Sequence, residues 1–417
     1  MLAQLFESYG PRHFVIRFWD KSELPAEKTP SRFTLVINEP RFLSLLMSDP
    51  SNRTLGEAYA ERLFEIEGDL RAAIALGDVF VGTDRGRRGV LALVRRLLGT
   101  TAGMLWRHPQ AFHSKYRLRD LERTKEAISF HYDLPVEFWQ LWLDPQLLYT
   151  CGYFASPEMS LDDAQTAKLE MICRKLGLCP GDELLDIGCG WGGLICYAAK
   201  HYGVKTTGIT LSQRQADHAR ALIARENMEH LCRVELRDFR DMEEMERFDK
   251  ITGIGVIEHV GEAQLEYFRR AWRLLRPSGR FLNQGITTAA GNKQARPGES
   301  FIDAYVFPDA RLVPISRTVA AAEAAGFELR DIESLREHYV NTTSCWLQHF
   351  EASQAEICKI IDEQMFRRFR LALAGFCFEF ERGQLNLYQT LFVKTAGGES
   401  GMPRTRALWY ASGDEAR

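Results

Sequence analysis

Ten consecutive residues near the middle of the chain, Leu184-Leu185-Asp186-Ile187-Gly188-Cys189-Gly190-Trp191-Gly192-Gly193, set an aspartate two positions ahead of a cluster of glycines. Glycines directly after a strand let the main chain approach a ligand closely, and ligands of open α/β sheets bind at the carboxyl ends of the strands. A dinucleotide site would also need an acid about 20 residues further on, at the end of the second strand, to hold a ribose. That strand ends Gly208-Ile209-Thr210-Leu211-Ser212-Gln213, without an acid, which speaks against NAD or FAD. A plain strand-to-helix turn is the alternative reading of the glycines. Two further residues carry reactive chemistry in suggestive places. Glu258 follows an apolar run, Lys250–Val256, where an unpaired charge is costly and so asks for a role. Cys151 lies within Tyr149-Thr150-Cys151-Gly152-Tyr153-Phe154; taken alone it is a small buried hydrophobe.

The elements that must position these residues follow a βαβ rhythm from about residue 165. Asp163–Leu176 is helical and Glu183–Ile187 is a short buried strand. Leu194–Tyr202 opens a helix, and Lys205–Ile209, Arg233–Leu236, Lys250–Val256 and Gly279–Gln284 supply further strands. Alternation of this kind predicts a doubly wound α/β sheet, a Rossmann-like fold. Ahead of it, residues 1–85 mix β-like runs (Phe14–Phe18, Phe33–Ile37) with helical patterns at Arg41–Met47 and through Leu55–Ala75, a small N-terminal α+β domain. Residues 86–125 form a basic linker: from Arg85 to Lys125 there are eleven Lys or Arg against Asp120 and Glu122. Within it Val90–Arg107 spaces its apolar residues as an amphipathic helix. Such a helix could lie in an anionic lipid interface or pack as a solvated linker. The domain holding the glycine loop runs over 126–395, and the Gly, Ser, Glu and Asp-rich tail 396–417 is expected to be disordered.

With 417 residues, 45% hydrophobic and 26% charged, the chain is long enough for two domains and has ample apolar material. A net charge of -3 gives no reason to expect nucleic acid as a partner. The nine cysteines form no CxxC pair and share no spacing with histidines, so neither disulfides nor a metal site is expected and a reducing cytoplasm fits. No apolar run approaches the ~20 residues needed to span a bilayer, so any membrane contact would be peripheral, at the inner surface.

The glycine loop resembles the first motif of the class I S-adenosylmethionine methyltransferases. That resemblance implies that Asp186, Gly188, Gly190 and Gly192 flank the methionine part, that Thr210 and Gln215 lie by the ribose, and that Asp238 lies near the adenine, with Tyr149 a further cofactor contact. Reading outward, His131-Tyr132-Asp133-Leu134, Phe138–Pro145, Leu148–Phe154, Gly208–Gln215, Ile257-Glu258-His259-Val260-Gly261, Phe301–Pro308 and His338-Tyr339 follow in one order. Over about residues 126–394 the chain is similar to the cyclopropane-fatty-acyl-phospholipid synthases and mycolic acid methyltransferases.

The resemblance implies methyl transfer to the double bond of an unsaturated phospholipid or fatty acyl chain, with S-adenosylmethionine as methyl donor. The reaction sets an electron-poor methyl against a weak nucleophile, so alignment in a dry pocket must supply much of the rate. The resulting cation would be met by aromatic faces, among Tyr132, Trp139, Tyr149, Tyr153, Phe154, Tyr305, Phe307 and Tyr339. In the family a bound bicarbonate ion removes the proton, in a site made by a cysteine, a glutamate, a histidine, an isoleucine backbone and a tyrosine. These map to Cys151, Glu258, Gln284, Ile286 and Tyr339. Gln284 departs from the family histidine: an amide donates a hydrogen bond but carries no charge. The product therefore stays open between a cyclopropane ring and a methyl- or methylene-branched chain. A catalytically silent lipid-binding protein is the third reading. Family members of this length leave a homodimer open.

Overall fold

The computed structural model describes residues 11–49, 51–81, 134–243, 245–290, 301 and 310–410. The basic linker with its Val90–Arg107 segment, the motif residues His131, Tyr132, Asp133, Tyr305 and Phe307, and residues 411–417 lie outside them. The described residues fall into two compact units: one takes residues up to 81, Phe301 and 354–378, the other 134–290, 310–353 and 379–410.

In the first unit β1 (Phe14–Arg17), β2 (Glu23–Leu24), β3 (Phe33–Ile37) and β4 (Phe64–Gly68) form a sheet in the order β2-β1-β3-β4. Phe14 and Ile16, and Phe33, Leu35 and Ile37, alternate inward, as a half-buried strand requires. Phe14 and Phe33 stack at 4.7 Å across the parallel β1–β3 pair. The single helical segment expected through Leu55–Ala75 is instead a helix Asn52–Ala60, strand β4 and a helix Leu70–Val81. Phe64-Glu65-Ile66-Glu67 alternates with period two and pairs antiparallel with β3. Arg62 (φ 60°) and Gly68 (φ 100°) turn the chain at either end of it. Residues 354–378, assigned from sequence to the second domain, join the first unit because Arg367 is buried there. Its guanidinium donates to Tyr59 O and Glu65 and lies 4.1 Å from the centre of the Tyr59 ring.

The second unit is built on β5 (Glu183–Ile187), β6 (Lys205–Thr210), β7 (Cys232–Leu236), β8 (Phe248–Ile254), β9 (Leu275–Thr288), β10 (Glu328–Ser334) and β11 (Leu385–Val393), in the order β10-β11-β9-β8-β5-β6-β7. The run from β7 to β9 is parallel, and β11 inserts antiparallel between β9 and β10. Burial on both faces explains the near-continuous apolar strands. Phe268, Phe281, Phe327 and Phe392 fill one side, and Leu169, Ile172, Leu184, Leu282 and Leu391 the other. Strand order reverses between β5 and β8, which opens a crevice at their carboxyl ends.

The tail expected to be disordered is ordered as far as Tyr410. Trp409 is buried in the cluster of Leu169 and Leu391. Arg280 donates to Gly401 O at 2.8 Å, and Arg406 pairs with Asp331 at 2.7 Å. A polar composition concealed one indole large enough to offset the ordering of its neighbours.

Candidate functional site

Of the cofactor residues read from the sequence, Asp186, Gly188, Gly190, Gly192, Thr210, Gln215 and Asp238 lie at the carboxyl edge of β5, β6 and β7, whereas Tyr149 packs in a separate aromatic cluster. Asp186 is buried near the end of β5, and Thr252 Oγ1 donates to its Oδ1 at 2.7 Å. Burial pushes its carboxyl up to about 7. The loop then folds onto β6, Gly188 N and Cys189 N both donating to Ile209 O at 2.9 Å. Gly188, Gly190 and Gly192 have φ of 71°, 53° and 92°. A Cβ on Gly188 would stand 2.8 Å from Val256 Cγ2, and one on Gly192 2.9 Å from Ala219 Cβ. Glycine is required at both positions by conformation and by space.

At the end of β6, Thr210 Oγ1 donates to Gln215 Oε1 at 2.8 Å and Ser212 Oγ caps the helix Gln213–Arg225. After β7, Asp238 caps a short turn and accepts from Arg240 N, Nε and Nη2 at 2.8, 2.9 and 2.6 Å. Adjacent strands lie ~4.8 Å apart, so the three strand ends span roughly 10 Å. Left-handed glycines, a buried acid and polar strand ends fit S-adenosylmethionine.

Of the candidate catalytic residues, Gln284 and Ile286 lie on β9 beside β11, and Glu258 just beyond β8 bonds to Ile286. Glu258 sits in a one-turn helix, Ile257–Val260, just beyond β8, and is 7% exposed. Its Oε1 accepts from Ile286 N at 2.7 Å, while its Oε2 is buried without a partner among the described residues. Burial pushes this carboxyl up to about 7. Gly285 permits the approach, since a Cβ there would come within 2.1 Å of Ile257 Cγ2. Gln284 is fully buried, and Gln389 Nε2 donates to its Oε1 at 3.0 Å.

Cys151 is buried with its thiol directed at Gly152 O (3.2 Å) and Leu335 O (3.8 Å). Burial pushes its pKa up, so it is a neutral thiol and not a nucleophilic thiolate. Tyr339, on the helix Arg336–Ala352, packs its ring 4.7 Å from Phe380 and 5.9 Å from Trp346. Leu335 N donates to Leu387 O on β11, two residues before Gln389. Hydrogen bonds Cys151–Leu335, Leu335–Leu387, Gln389–Gln284 and Ile286–Glu258, joined by short stretches of β11 and β9 main chain, thus connect Cys151 to Glu258.

The aromatic residues divide. Tyr149 packs in a cluster with Trp139, Trp142 and Trp346 at 5.0, 5.3 and 5.0 Å. Tyr153 instead donates to Glu333 at 3.1 Å and stacks on His338.

Several residues of the site were missed in the sequence. Gln165 and Lys168 project from one face of the helix Leu161–Leu176. Gln165 Nε2 donates to Leu148 O and Thr150 O, and Lys168 Nζ to Thr150 Oγ1 at 3.0 Å. Burial pulls the Lys168 ammonium down to about 8. Thr342 Oγ1 accepts from Gly152 N at 3.0 Å. Polar residues spaced i, i+3 on the apolar face of a helix were the available signal for Gln165 and Lys168; Thr252, Thr342 and Gln389 had none.

Residues 119–390 match the profile of the mycolic acid cyclopropane synthetase family. The chain belongs to that family. Residues 1–77 match a second profile, a domain of unknown function. A probable fatty acid methyltransferase of Pseudomonas putida is 36% identical over 416 residues, covering 98% of this chain and all of the relative. The cyclopropane-fatty-acyl-phospholipid synthase of Escherichia coli K12 is 35% identical over 291 residues, 69% of this chain and 72% of that one. Among solved structures, a mycolic acid cyclopropane synthase complexed with SAH and CTAB superposes with a TM-score of 0.61 at 33% identity, over 65% of this chain and 98% of that one. The family and its SAH-bound member make this chain a class I S-adenosylmethionine-dependent methyltransferase with a Rossmann-like sheet.

Proposed function

We propose that this methyltransferase adds a methyl group to the double bond of an unsaturated fatty acyl chain in a membrane phospholipid and closes it to a cyclopropane ring. The observation that carries the reading is the Glu258 carboxyl: buried, held through one oxygen by Ile286 N–H, and with the other oxygen lacking a partner among the described residues. Such an orphan is costly unless a ligand completes it. A bicarbonate ion offers the hydroxyl that Glu258 Oε2 would accept, and the Gln284 amide supplies a donor for the anion. The residues present therefore fit the ion that the family resemblance implies.

When bound, S-adenosylmethionine supplies an electron-poor methyl, and bicarbonate supplies the base for the proton that must leave before a ring closes. The residues of this chain hold, orient and dry the reaction. Asp186 and the glycine loop would fix the methionine arm, Thr210 and Gln215 the ribose, and Asp238 the adenine. The cluster around Tyr149 provides aromatic faces toward which positive charge on the acyl chain can develop without being attacked. Glu258 is poised near neutrality, so that it can accept or release a proton-sharing hydrogen bond at working pH. No described helix is long and apolar enough to cross a membrane.

A second reading is favoured by Gln284. Without a cationic imidazole the anion would be held less tightly, and proton loss from another carbon would leave a methyl- or methylene-branched chain. The Pseudomonas putida relative, named a probable fatty acid methyltransferase, is aligned over nearly the whole chain, in keeping with this reading. The test is incubation with unsaturated phospholipid and S-adenosylmethionine, followed by proton NMR of the fatty acid methyl esters. Upfield cyclopropane methylene signals are expected. Vinylic or branched-methyl signals would replace the ring reading with the second, and unchanged lipid despite bound cofactor would refute both.

A further inference from the structure

Gln284 and Gln389 stand opposite each other across the antiparallel β9–β11 pair, and each is at most 2% exposed. A buried glutamine can present either end of its amide in nearly the same volume, so its neighbours decide which end faces where. Here Gln389 Nε2 donates to Gln284 Oε1. The carbonyl end of Gln284 is thereby engaged by β11, which leaves its NH2 end for another acceptor. Gln284 is two residues from Ile286, whose main-chain N–H is held by Glu258.

The same pairing leaves Gln389 Oε1 buried without a partner among the described residues. An apolar side chain of similar size would fill the position without that cost. The unpartnered atom indicates that the donor end of Gln389 is what the position uses.

Resting on the bicarbonate reading above, we infer that Gln389 is a positioning residue: it locks Gln284 as a hydrogen-bond donor toward the anion. The two amides act as a coupled pair with two settings. With Gln389 donating, Gln284 offers NH2 to the anion; with Gln389 accepting, Gln284 would offer its carbonyl oxygen, which repels an anion. The pair thus does with two neutral side chains what one protonatable ring would do with a fixed N–H.

Gln389→Glu, assayed at about pH 8.5 so that the buried carboxyl is ionised, is the decisive variant, because an ionised carboxylate can only accept and forces the second setting. Gln389→Met removes the lock without imposing either orientation. Gln284→His combined with Gln389→Glu restores a donor, since a carboxylate beside the ring stabilises the imidazolium, in which both ring nitrogens carry N–H. Two readouts are taken on the full chain with S-adenosylhomocysteine or S-adenosylmethionine: the rise in Tm with added bicarbonate, and the bicarbonate concentration giving half-maximal methyl transfer in CO2-stripped buffer.

Gln389→Glu is expected to raise the bicarbonate requirement in both by about tenfold or more, the loss of one charge-assisted hydrogen bond. Gln389→Met should raise it by about threefold, and the double variant should return toward wild type. The KM for S-adenosylmethionine should stay unchanged in all three. Wild-type bicarbonate dependence in Gln389→Glu, or in Gln389→Met should the first not fold, overturns the inference. Absence of any bicarbonate effect on wild type in both readouts would instead remove the anion-site reading on which it rests.

Discussion

Replacing Glu258 by glutamine should stabilise the protein at neutral and alkaline pH while removing its activity. A carboxyl that ordinarily titrates near 4.5 is held at about 7 by burial beside Ile257 and Gly285. Between those values the folded chain keeps a proton that the unfolded chain releases. Stability therefore falls as pH rises through this window, and above it the loss is complete. At about 1.4 kcal/mol per tenfold, the span from 4.5 to about 7 corresponds to about 3 kcal/mol. Glutamine keeps the carbonyl oxygen that accepts from Ile286 N and carries no charge at any pH. It should match wild type within about 1 kcal/mol at pH 5 and exceed it by about 3 kcal/mol at pH 8.

The measurement is urea unfolding of both proteins in bicarbonate-free buffer at pH 5, 6, 7 and 8, reading the difference between them at each pH. Methyl transfer in the same preparation should drop by at least about 100-fold, the scale of a lost proton-handling group. A difference that stays constant with pH would refute the reasoning. So would a glutamine variant less stable than wild type at pH 8, because either result would mean that Glu258 is not an ionised, incompletely paired group in the folded chain.

Two further outcomes follow from the geometry. Gly192→Ala puts a side chain at φ 92° and 2.9 Å from Ala219 Cβ. It should cost about 1–3 kcal/mol of stability and weaken S-adenosylhomocysteine binding, measured by unfolding and by titration calorimetry. Trp409→Ala empties the site beneath the helix Leu161–Leu176. It should cost about 3 kcal/mol in unfolding while leaving cofactor affinity unchanged, and loss of that affinity would show that the tail supports the cofactor site as well.

Much of the second unit was legible because its signals are local. Leu184–Ile187 is apolar over the length of a buried strand, the glycines follow at once, and Ser212 and Gln213 open the next helix with a capping residue. The placement of Asp186, Thr210 and Asp238 on neighbouring strand ends follows from that rhythm and from the right-handed crossover rule. The N-terminal strand β4 was not legible: Leu55–Ala75 holds enough apolar residues at helical spacing to pass for one helix, and only pairing with β3 makes Phe64–Gly68 a strand. The tail failed for a related reason, its order resting on a single indole received by a distant helix.

By itself the sequence determined the α/β class, the glycine loop and the chemistry available at Glu258 and Cys151, because each is written within a few neighbouring residues. Only the tertiary structure decided that Glu258 has one satisfied and one orphaned oxygen, that Cys151 is held as a neutral thiol, and that Gln284 answers to Gln389. The last two residues lie 105 positions apart and meet because β11 inserts beside β9. Hydrophobic periodicity records which face of a segment is buried; it does not record which strand will lie beside it, and the polarity of a buried amide is set by that neighbour.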